Sequence, residues 1–256
     1  MLRLRRSKTH PTTLVFCVHK GASTFLATEF APAVAAAFPG LRHWDFAAEL
    51  LQGRTAEDMR LPSRGVLAAR IYPHLYDAPI EDPVPARGRF ADKKLILVRR
   101  DPRDAAVSLY YSIRYSHGPG TRRPERLQEG REKLSALDRT DGLLFRPAPL
   151  ACRQFRATND LLAKYPAVLL TSYEELVGDF SGWIARVGAH LDWPAEQTAQ
   201  IEAALAGALD PPEREDPSQH KRRVTPGNWR EIFDDRLVAY FKAELGDALE
   251  AAGYAW

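Results

Sequence analysis

The chain has 256 residues, of which 45% are hydrophobic, and its formal net charge is +3. A chain of this size can bury a full core, so we expect one domain over residues 1–256, and the weak net charge argues against a nucleic-acid partner. No apolar run reaches the length of a membrane span, and two cysteines form no disulfide framework, so we expect a cytoplasmic protein without stable membrane insertion.

Short apolar runs alternate with helical patterns along the chain. Each run is rich in Val, Leu or Ile without polar alternation, which is typical of strands buried on both faces. The predicted strands are Thr13–Val18, Val66–Ile71, Lys94–Val98 and Ala167–Thr171. Strands that alternate with helices predict an α/β fold around a central parallel sheet.

Helical spacing predicts the elements between these strands. A first helical pattern starts at Leu26, and Pro32 should kink or split it because proline lacks an N–H. The further predicted helices are Pro102–Arg114, Cys152–Lys164, Phe180–His190, Glu196–Ala206 and Asp234–Ala252. Residues 116–149 and 210–228 lack a clear period, and we predict a loop or lid in each, the first with one helical turn or more.

The first predicted strand is followed by HKGASTFL (residues 19–26), which opens a helix. Small residues let a backbone wrap an anion closely, the hydroxyls of Ser23 and Thr24 add donors, and Lys20 supplies a positive charge. The segment lacks the GxxxxGKS/T spacing of a Walker A loop, which disfavours a nucleoside triphosphatase. A helix start capped by Ser23 or Thr24, with no ligand, is the alternative interpretation.

A second basic turn follows the third predicted strand. Asp101 is a good N-cap, Pro102 suits the first helical position, and Asp104 lies where the acid of a capping box would. Unpaired N–H groups and the macrodipole make such a helix start positive. With Arg100 entering from the strand and Ser108 two turns along the helix, the pattern predicts a phosphate site. A well-capped surface helix with solvated arginines is the alternative.

These two turns resemble those of the cytosolic and bacterial sulfotransferases that use 3′-phosphoadenosine 5′-phosphosulfate (PAPS). Four segments match in the order that the family has them: HKGASTFL (19–26) for PKSGTTWL, RDPRDAAVS (100–108) for RNPxDxxVS, YEEL (173–176) for a YEDL-like segment and RRVTPGNW (222–229) for RKGxxGDW. The resemblance implies a three-layer, P-loop-NTPase-like α/β fold. It also implies in-line transfer of a sulfuryl group from PAPS to a hydroxyl or amine, with no metal.

The resemblance also implies roles for individual residues. Those implied for the 5′-phosphosulfate are Lys20, Gly21, Ala22, Ser23, Thr24 and Phe25. Those implied for the rest of the donor are Arg100, Ser108, Arg222 and Arg223 at the 3′-phosphate and Tyr173 at the adenine. Arginine suits a terminal phosphate because its planar fork can bind two oxygens. Gly21 and Val224 depart from the serine and glycine that are usual in the family.

Lys20 and His74 are the candidate catalytic residues. Lys20 would stabilise charge on the leaving oxygen. His74 follows the second predicted strand, where many family members carry a KxH segment whose lysine is Tyr72 here. A neutral imidazole can accept the proton of an acceptor hydroxyl near pH 7, although a loop histidine bonded to the backbone is also compatible with the sequence.

The sequence leaves the acceptor open between a small molecule, a lipid and a glycan, and it leaves the oligomeric state open. Two other functions fit the same fold. One is a nucleotide-binding protein without sulfotransfer activity. The other is a P-loop-type kinase, which would need a GK dipeptide and a metal-binding acid near Ser23 or Thr24.

Overall fold

A computed structural model describes residues 10–52, 61–73, 90, 92–116, 124–209 and 224–256. Its central sheet has five strands: β1 (Thr13–Cys17), β2 (Arg42–Asp45), β3 (Val66–Ile71), β4 (Lys94–Arg99) and β5 (Leu169–Ser172). All neighbouring strands pair in parallel, in the order β2-β3-β1-β4-β5. The predicted parallel sheet is confirmed.

The helices of the first part of the chain are α1 (Ser23–Phe25), α2 (Ala31–Ala37), α3 (Phe46–Leu51) and α4 (Pro102–Tyr111). The later helices are α5 (Pro124–Ala136), α6 (Arg139–Phe145), α7 (Pro147–Lys164), α8 (Tyr173–Gly178), α9 (Phe180–His190), α10 (Ala195–Ala204), α11 (Trp229–Ile232), α12 (Asp235–Leu245) and α13 (Asp247–Ala251). A π-helical turn, Leu26–Phe30, joins α1 to α2, and a second one, Ser112–Ser116, follows α4.

Helices cover both faces of the sheet. On one face, Val15 of β1 belongs to a buried cluster with Val34 of α2 and Trp183 of α9. On the other face, Phe16 of β1 belongs to a cluster with Leu161 of α7. The alternation of β1 side chains therefore places the sheet between two helical layers, and the predicted three-layer fold is confirmed.

Residues 124–149 differ from the prediction. The sequence pattern predicts a loop or lid there, but the structure has α5, α6 and the first turn of α7, so the loop prediction is wrong for these residues. Leu134, Leu143 and Ala148, one from each of these helices, are buried in a third cluster together with residues of α4. Apolar residues are too sparse in this stretch to show a helical period, because only isolated positions of each helix reach the core.

Three smaller differences have local causes. The predicted break near Pro32 takes the form of the first π-helical turn, which ends just before the helix that holds this proline at its start. The helix predicted over Asp234–Ala252 is two helices, because Gly246 adopts φ 49° between them. The pattern misses β2, a polar edge strand with exposed residues. In the second predicted loop, residues 210–223 lie outside the described part, and 224–228 are irregular.

The sheet topology predicts a crevice at the carboxyl ends of β1 and β4. β1 and β4 are neighbours, with Cys17 opposite Val98, so the segments that follow the two strands start side by side. The chain leaves β1 for the face that carries α2 and leaves β4 for the face that carries α4 and α7. In open parallel sheets, ligands bind at the carboxyl ends of strands whose connections diverge in this way.

Candidate functional site

The loop after β1 is shaped by two left-handed residues, Lys20 at φ 66° and Ala22 at φ 58°. Between them, Gly21 donates its N–H to the carbonyl of Val18 at 3.0 Å. A Cβ at Gly21 would lie 3.0 Å from Val18 Cγ2 and 3.2 Å from the Val18 carbonyl oxygen. This close approach favours glycine at the position. A left-handed residue beside a helix start turns successive N–H groups towards one concave side, which is a geometry that binds anions.

The Lys20 side chain lies inside the crevice. Its ammonium donates to Ser112 Oγ at 3.1 Å. Burial, followed by the positive charge of Arg100, lowers the pKa of Lys20 to about 8. Ser112 begins the second π-helical turn, and the sequence analysis does not identify it, because only the fold brings it to Lys20. Residues four apart share a helix face, so Ser108 lies on the side of α4 that carries Ser112.

Arg100 joins the two basic turns. Its Nη1 donates to the carbonyl oxygen of Lys20 at 2.5 Å, and its guanidinium carbon lies 4.0 Å from the centre of the Tyr173 ring. The Tyr173 hydroxyl in turn donates to the carbonyl of Val224 at 2.8 Å. Among the described residues, Arg100 Nε is buried without a hydrogen-bond partner. The first loop, the second turn, Tyr173 and the segment after residue 223 are therefore in contact.

The neighbouring arginines face elsewhere. Arg99 donates to Asn159 of α7 at 2.8 Å. Arg103 pairs with Asp101 at 2.7 Å, and its guanidinium carbon lies 3.8 Å from the ring centre of Trp229. Of these three arginines, Arg100 is the one that reaches the first loop, in agreement with its place before the Asp-Pro pair.

The start of α4 is capped differently from the expectation. Asp101 is the N-cap and accepts the N–H of Arg103 at 2.9 Å, as predicted. The predicted capping box is wrong, because Asp104 accepts the N–H groups of Gly227 at 2.6 Å and Trp229 at 2.9 Å. The N–H of Asp101 donates instead to Glu174 at 3.0 Å. A capping box uses Glu or Gln, whose longer side chain reaches back one turn.

A β-bulge in β3 determines which face of the sheet the side chains at the end of this strand occupy. Leu14 of β1 pairs with Ala68, but Phe16 pairs with Ile71, so β3 has one extra residue. That residue is Arg70, at φ 58°. An extra residue moves all that follow to the opposite face, and Ile71 accordingly packs on the same side as Phe16. Neither the bulge nor its consequence is visible in the apolar pattern.

Tyr72 reaches the first loop because of this bulge. Its ring stacks on His19, with centres 4.0 Å apart and planes at 16°, and its hydroxyl is hydrogen-bonded by Ser23. Burial raises the pKa of Tyr72, so the phenol stays neutral. Arg70 is itself held by Asp45 of β2 through two hydrogen bonds, one of 2.8 Å from Nε to Oδ1.

The remaining predicted site residues lie in α1 or outside the described residues. Phe25 packs its ring into the core at 6.2 Å from Phe180, so only its backbone adjoins the loop. Thr24 lies in the first helical turn. His74, Arg222 and Arg223 lie outside the described residues.

The described residues form neither a metal cluster nor a membrane-spanning helix. Within the ranges that the structure describes, no three His, Cys, Asp or Glu side chains come together as a metal site would require. In the same ranges, no helix has the length and apolar character needed to cross a bilayer.

Comparison with known proteins gives one family. A family model described as a sulfotransferase domain matches residues 82–250, which include the second basic turn and Tyr173. No curated protein sequence matches the chain. The solved structure of mouse sulfotransferase SULT7A1 complexed with PAP has a TM-score of 0.54 at 15% identity, with 95% of this chain and 88% of that chain covered.

A second solved structure, retinol dehydratase in a complex with retinol and PAP, has a TM-score of 0.55 at 17% identity, with 94% of this chain and 82% of that chain covered. A further complex of retinol dehydratase, with androsterone and inactive cofactor PAP, has a TM-score of 0.51 at 16% identity and covers 93% and 80%. At these identities the likeness shows a shared fold.

Proposed function

Because this chain belongs to the sulfotransferase-domain family, we propose that it transfers a sulfuryl group from PAPS to a hydroxyl or amine of an acceptor by in-line displacement. The proposal rests on the contact between two basic strand-to-helix turns, where Arg100 donates to the carbonyl of Lys20. PAPS has two anionic ends, and each turn supplies a cation and a helix start for one of them. The neighbours that hold PAP support the same nucleotide.

The first loop fits the 5′-phosphosulfate. The left-handed residues Lys20 and Ala22 shape a concave backbone, and the N–H groups of the first helical turn have no carbonyl partner within that turn. The residues we assign to this end are Lys20, Gly21, Ala22, Ser23, Thr24 and Phe25, the last through its backbone. A bound anion would be held mainly by fixed dipoles, which need no rearrangement.

The second turn fits the 3′-phosphate. Arg100 has a buried Nε without a partner among the described residues, and an anion would satisfy it. Tyr173 covers the Arg100 guanidinium at 4.0 Å. Ser108 is assigned to this end from its place in the matching segment of the sequence. Arg222 and Arg223 remain assigned to this end on their sequence alone.

Lys20 and His74 have separate roles in the proposed reaction. The acceptor oxygen attacks sulfur, the bond from sulfur to the phosphate oxygen breaks, and the acceptor proton passes to His74. The negative charge that develops on the departing phosphate oxygen is stabilised by the Lys20 ammonium, which Ser112 holds at 3.1 Å. With a pKa of about 8, Lys20 is mostly protonated at pH 7 and donates in this step.

The acceptor that we propose is a small molecule, and the compartment is the cytoplasm. Two retinol dehydratase complexes contain retinol and androsterone, which supports a small-molecule acceptor, and a lipid or glycan acceptor would use the same chemistry. Cys17 and Cys152 are buried free thiols, which supports a reducing compartment such as the cytoplasm.

A transfer assay tests this function. The protein is incubated with PAPS and a panel of phenols, alcohols, amines and sugars, and both PAP and the sulfated product are measured by chromatography. We expect acceptor-dependent formation of the two products in equal amounts, with little product from the Lys20→Ala variant. Binding of PAP without transfer to any acceptor class would instead favour the nucleotide-binding protein without activity.

A further inference from the structure

Asp104 uses its carboxylate outside its own helix. It lies in the first turn of α4 and is 1% exposed. One oxygen accepts the N–H of Gly227 at 2.6 Å and the other accepts the N–H of Trp229 at 2.9 Å. These two donors belong to a distant part of the chain, so Asp104 fastens residues 224–229, which we call the late segment, to the start of α4.

The late segment has further contacts with the same region. The carbonyl of Val224 accepts the Tyr173 hydroxyl at 2.8 Å. The Trp229 ring lies against the guanidinium of Arg103, in the helical turn that holds Asp104. Inside the segment, Asn228 Nδ2 donates to the Thr225 carbonyl at 2.6 Å. These contacts connect Asp104 through the late segment to Tyr173, and Tyr173 covers Arg100.

The buried carboxylate of Asp104 needs hydrogen-bond partners. A buried carboxylate is costly unless hydrogen bonds satisfy it, and bonds to an ionised group are stronger than neutral ones. Here each oxygen accepts a backbone N–H, so the carboxylate is satisfied by the late segment. Because Asp104 is buried, it holds this segment in place and does not touch a ligand in the crevice.

We propose that Asp104 is a positioning residue of the second basic turn. It clamps the late segment onto the start of α4, and the segment then holds Tyr173 over Arg100 in the arrangement that binds the 3′-phosphate of the donor. The identity of the ligand rests on the proposed function, whereas the clamp itself does not.

Asp104→Asn tests the clamp with almost no change in volume. An amide oxygen can still accept one N–H, but the amide nitrogen meets the other donor, so one of the two bonds is lost. We measure affinities for PAP and for adenosine 5′-monophosphate, which lacks the 3′-phosphate, by calorimetry. Affinity for PAP should fall about tenfold, as expected for loss of a bond to a charged group, while affinity for the monophosphate stays unchanged.

Two further variants accompany it. Gly227→Ala disturbs the clamp from the other side, because Gly227 has φ 90° and alanine is strained there, and it should show the same selective loss. Asp141→Asn is the matched control, since Asp141 lies in the first turn of α6 and pairs with Arg236 at the surface. This control should bind both nucleotides as the wild type does.

Equal PAP affinity in Asp104→Asn and the wild type would overturn the inference, and so would an equal loss for both nucleotides. If Asp104→Asn does not fold, the selectivity of Gly227→Ala decides. A wild type that binds no PAP refutes the proposed function, and amide hydrogen exchange then tests the clamp alone. Faster exchange at Gly227 and Trp229 in Asp104→Asn supports the clamp, and unchanged exchange contradicts it.

Discussion

Replacement of Lys20 by alanine should slow turnover far more than it weakens nucleotide binding. The Lys20 side chain is half-buried, and its ammonium donates to Ser112 at 3.1 Å, which leaves donors for the leaving oxygen. Arg100 and the loop N–H groups still hold the nucleotide in the variant. The lost interaction is therefore one that strengthens as charge develops, and such losses lower kcat rather than affinity.

The magnitude follows from the chemistry of the site. A preorganised donor to a developing oxyanion contributes about 3 kcal/mol in a water-excluded site, so kcat should fall roughly 100-fold. The dissociation constant for PAPS should change by less than about fivefold, since the bridging oxygen gains its charge only as the bond to sulfur breaks. Turnover is measured by PAP release at saturating PAPS and acceptor, and PAPS affinity by calorimetry without acceptor. Lys133→Ala, an exposed lysine on α5, is the control.

The pH dependence of the wild type checks the same assignment. Lys20 acts in its protonated form, and burial together with Arg100 lowers its pKa to about 8. kcat/KM, which reports groups of the free enzyme, should therefore fall as the pH rises through about 8. Lys20→Arg should retain its activity to higher pH, because the guanidinium stays charged. Turnover in Lys20→Ala equal to that of the wild type would refute the assignment.

The remaining predictions concern the other residues of the crevice. Arg100→Ala should weaken PAP binding by about 10- to 100-fold in calorimetry, because it removes a charged partner of the terminal phosphate; unchanged affinity would contradict this. His74→Ala should lower kcat by about 100-fold or more with little change in PAP affinity. His19→Ala is its comparison, and a larger effect there would transfer the role of base to His19. Tyr72→Phe removes the hydrogen bond with Ser23 and should reduce kcat about fivefold. An unchanged kcat would mean that this bond does not support the first loop.

The buried strands could be predicted from the sequence because a strand that is buried on both faces has a continuous run of apolar residues. β4 and the helix that follows it are examples, since Asp101 and Pro102 mark the helix start. β2 could not be predicted, because an edge strand exposes polar residues. The helices over residues 124–149 were missed for a related reason, since few of their side chains reach the core.

The residues of the candidate site also fall into those that the sequence identifies and those that only the fold brings together. Arg100 could be assigned to the second turn because it directly precedes the Asp-Pro pair, and the register of a helix start is a local property. Ser112 and Tyr72 could not be identified in this way. Ser112 meets Lys20 only in the folded chain, since 92 residues separate them in sequence, and Tyr72 faces the first loop only because β3 has an extra residue.

Titration with three adenosine phosphates tests the central claim most directly, namely that two cationic turns hold the two ends of one nucleotide. Calorimetry without metal compares PAP with the 5′- and 3′-monophosphates of adenosine, and ATP with magnesium serves as the kinase control. We predict that PAP binds at least about tenfold more tightly than either monophosphate and more tightly than ATP with magnesium. PAP binding no tighter than one monophosphate, or a preference for ATP with magnesium, would contradict the account.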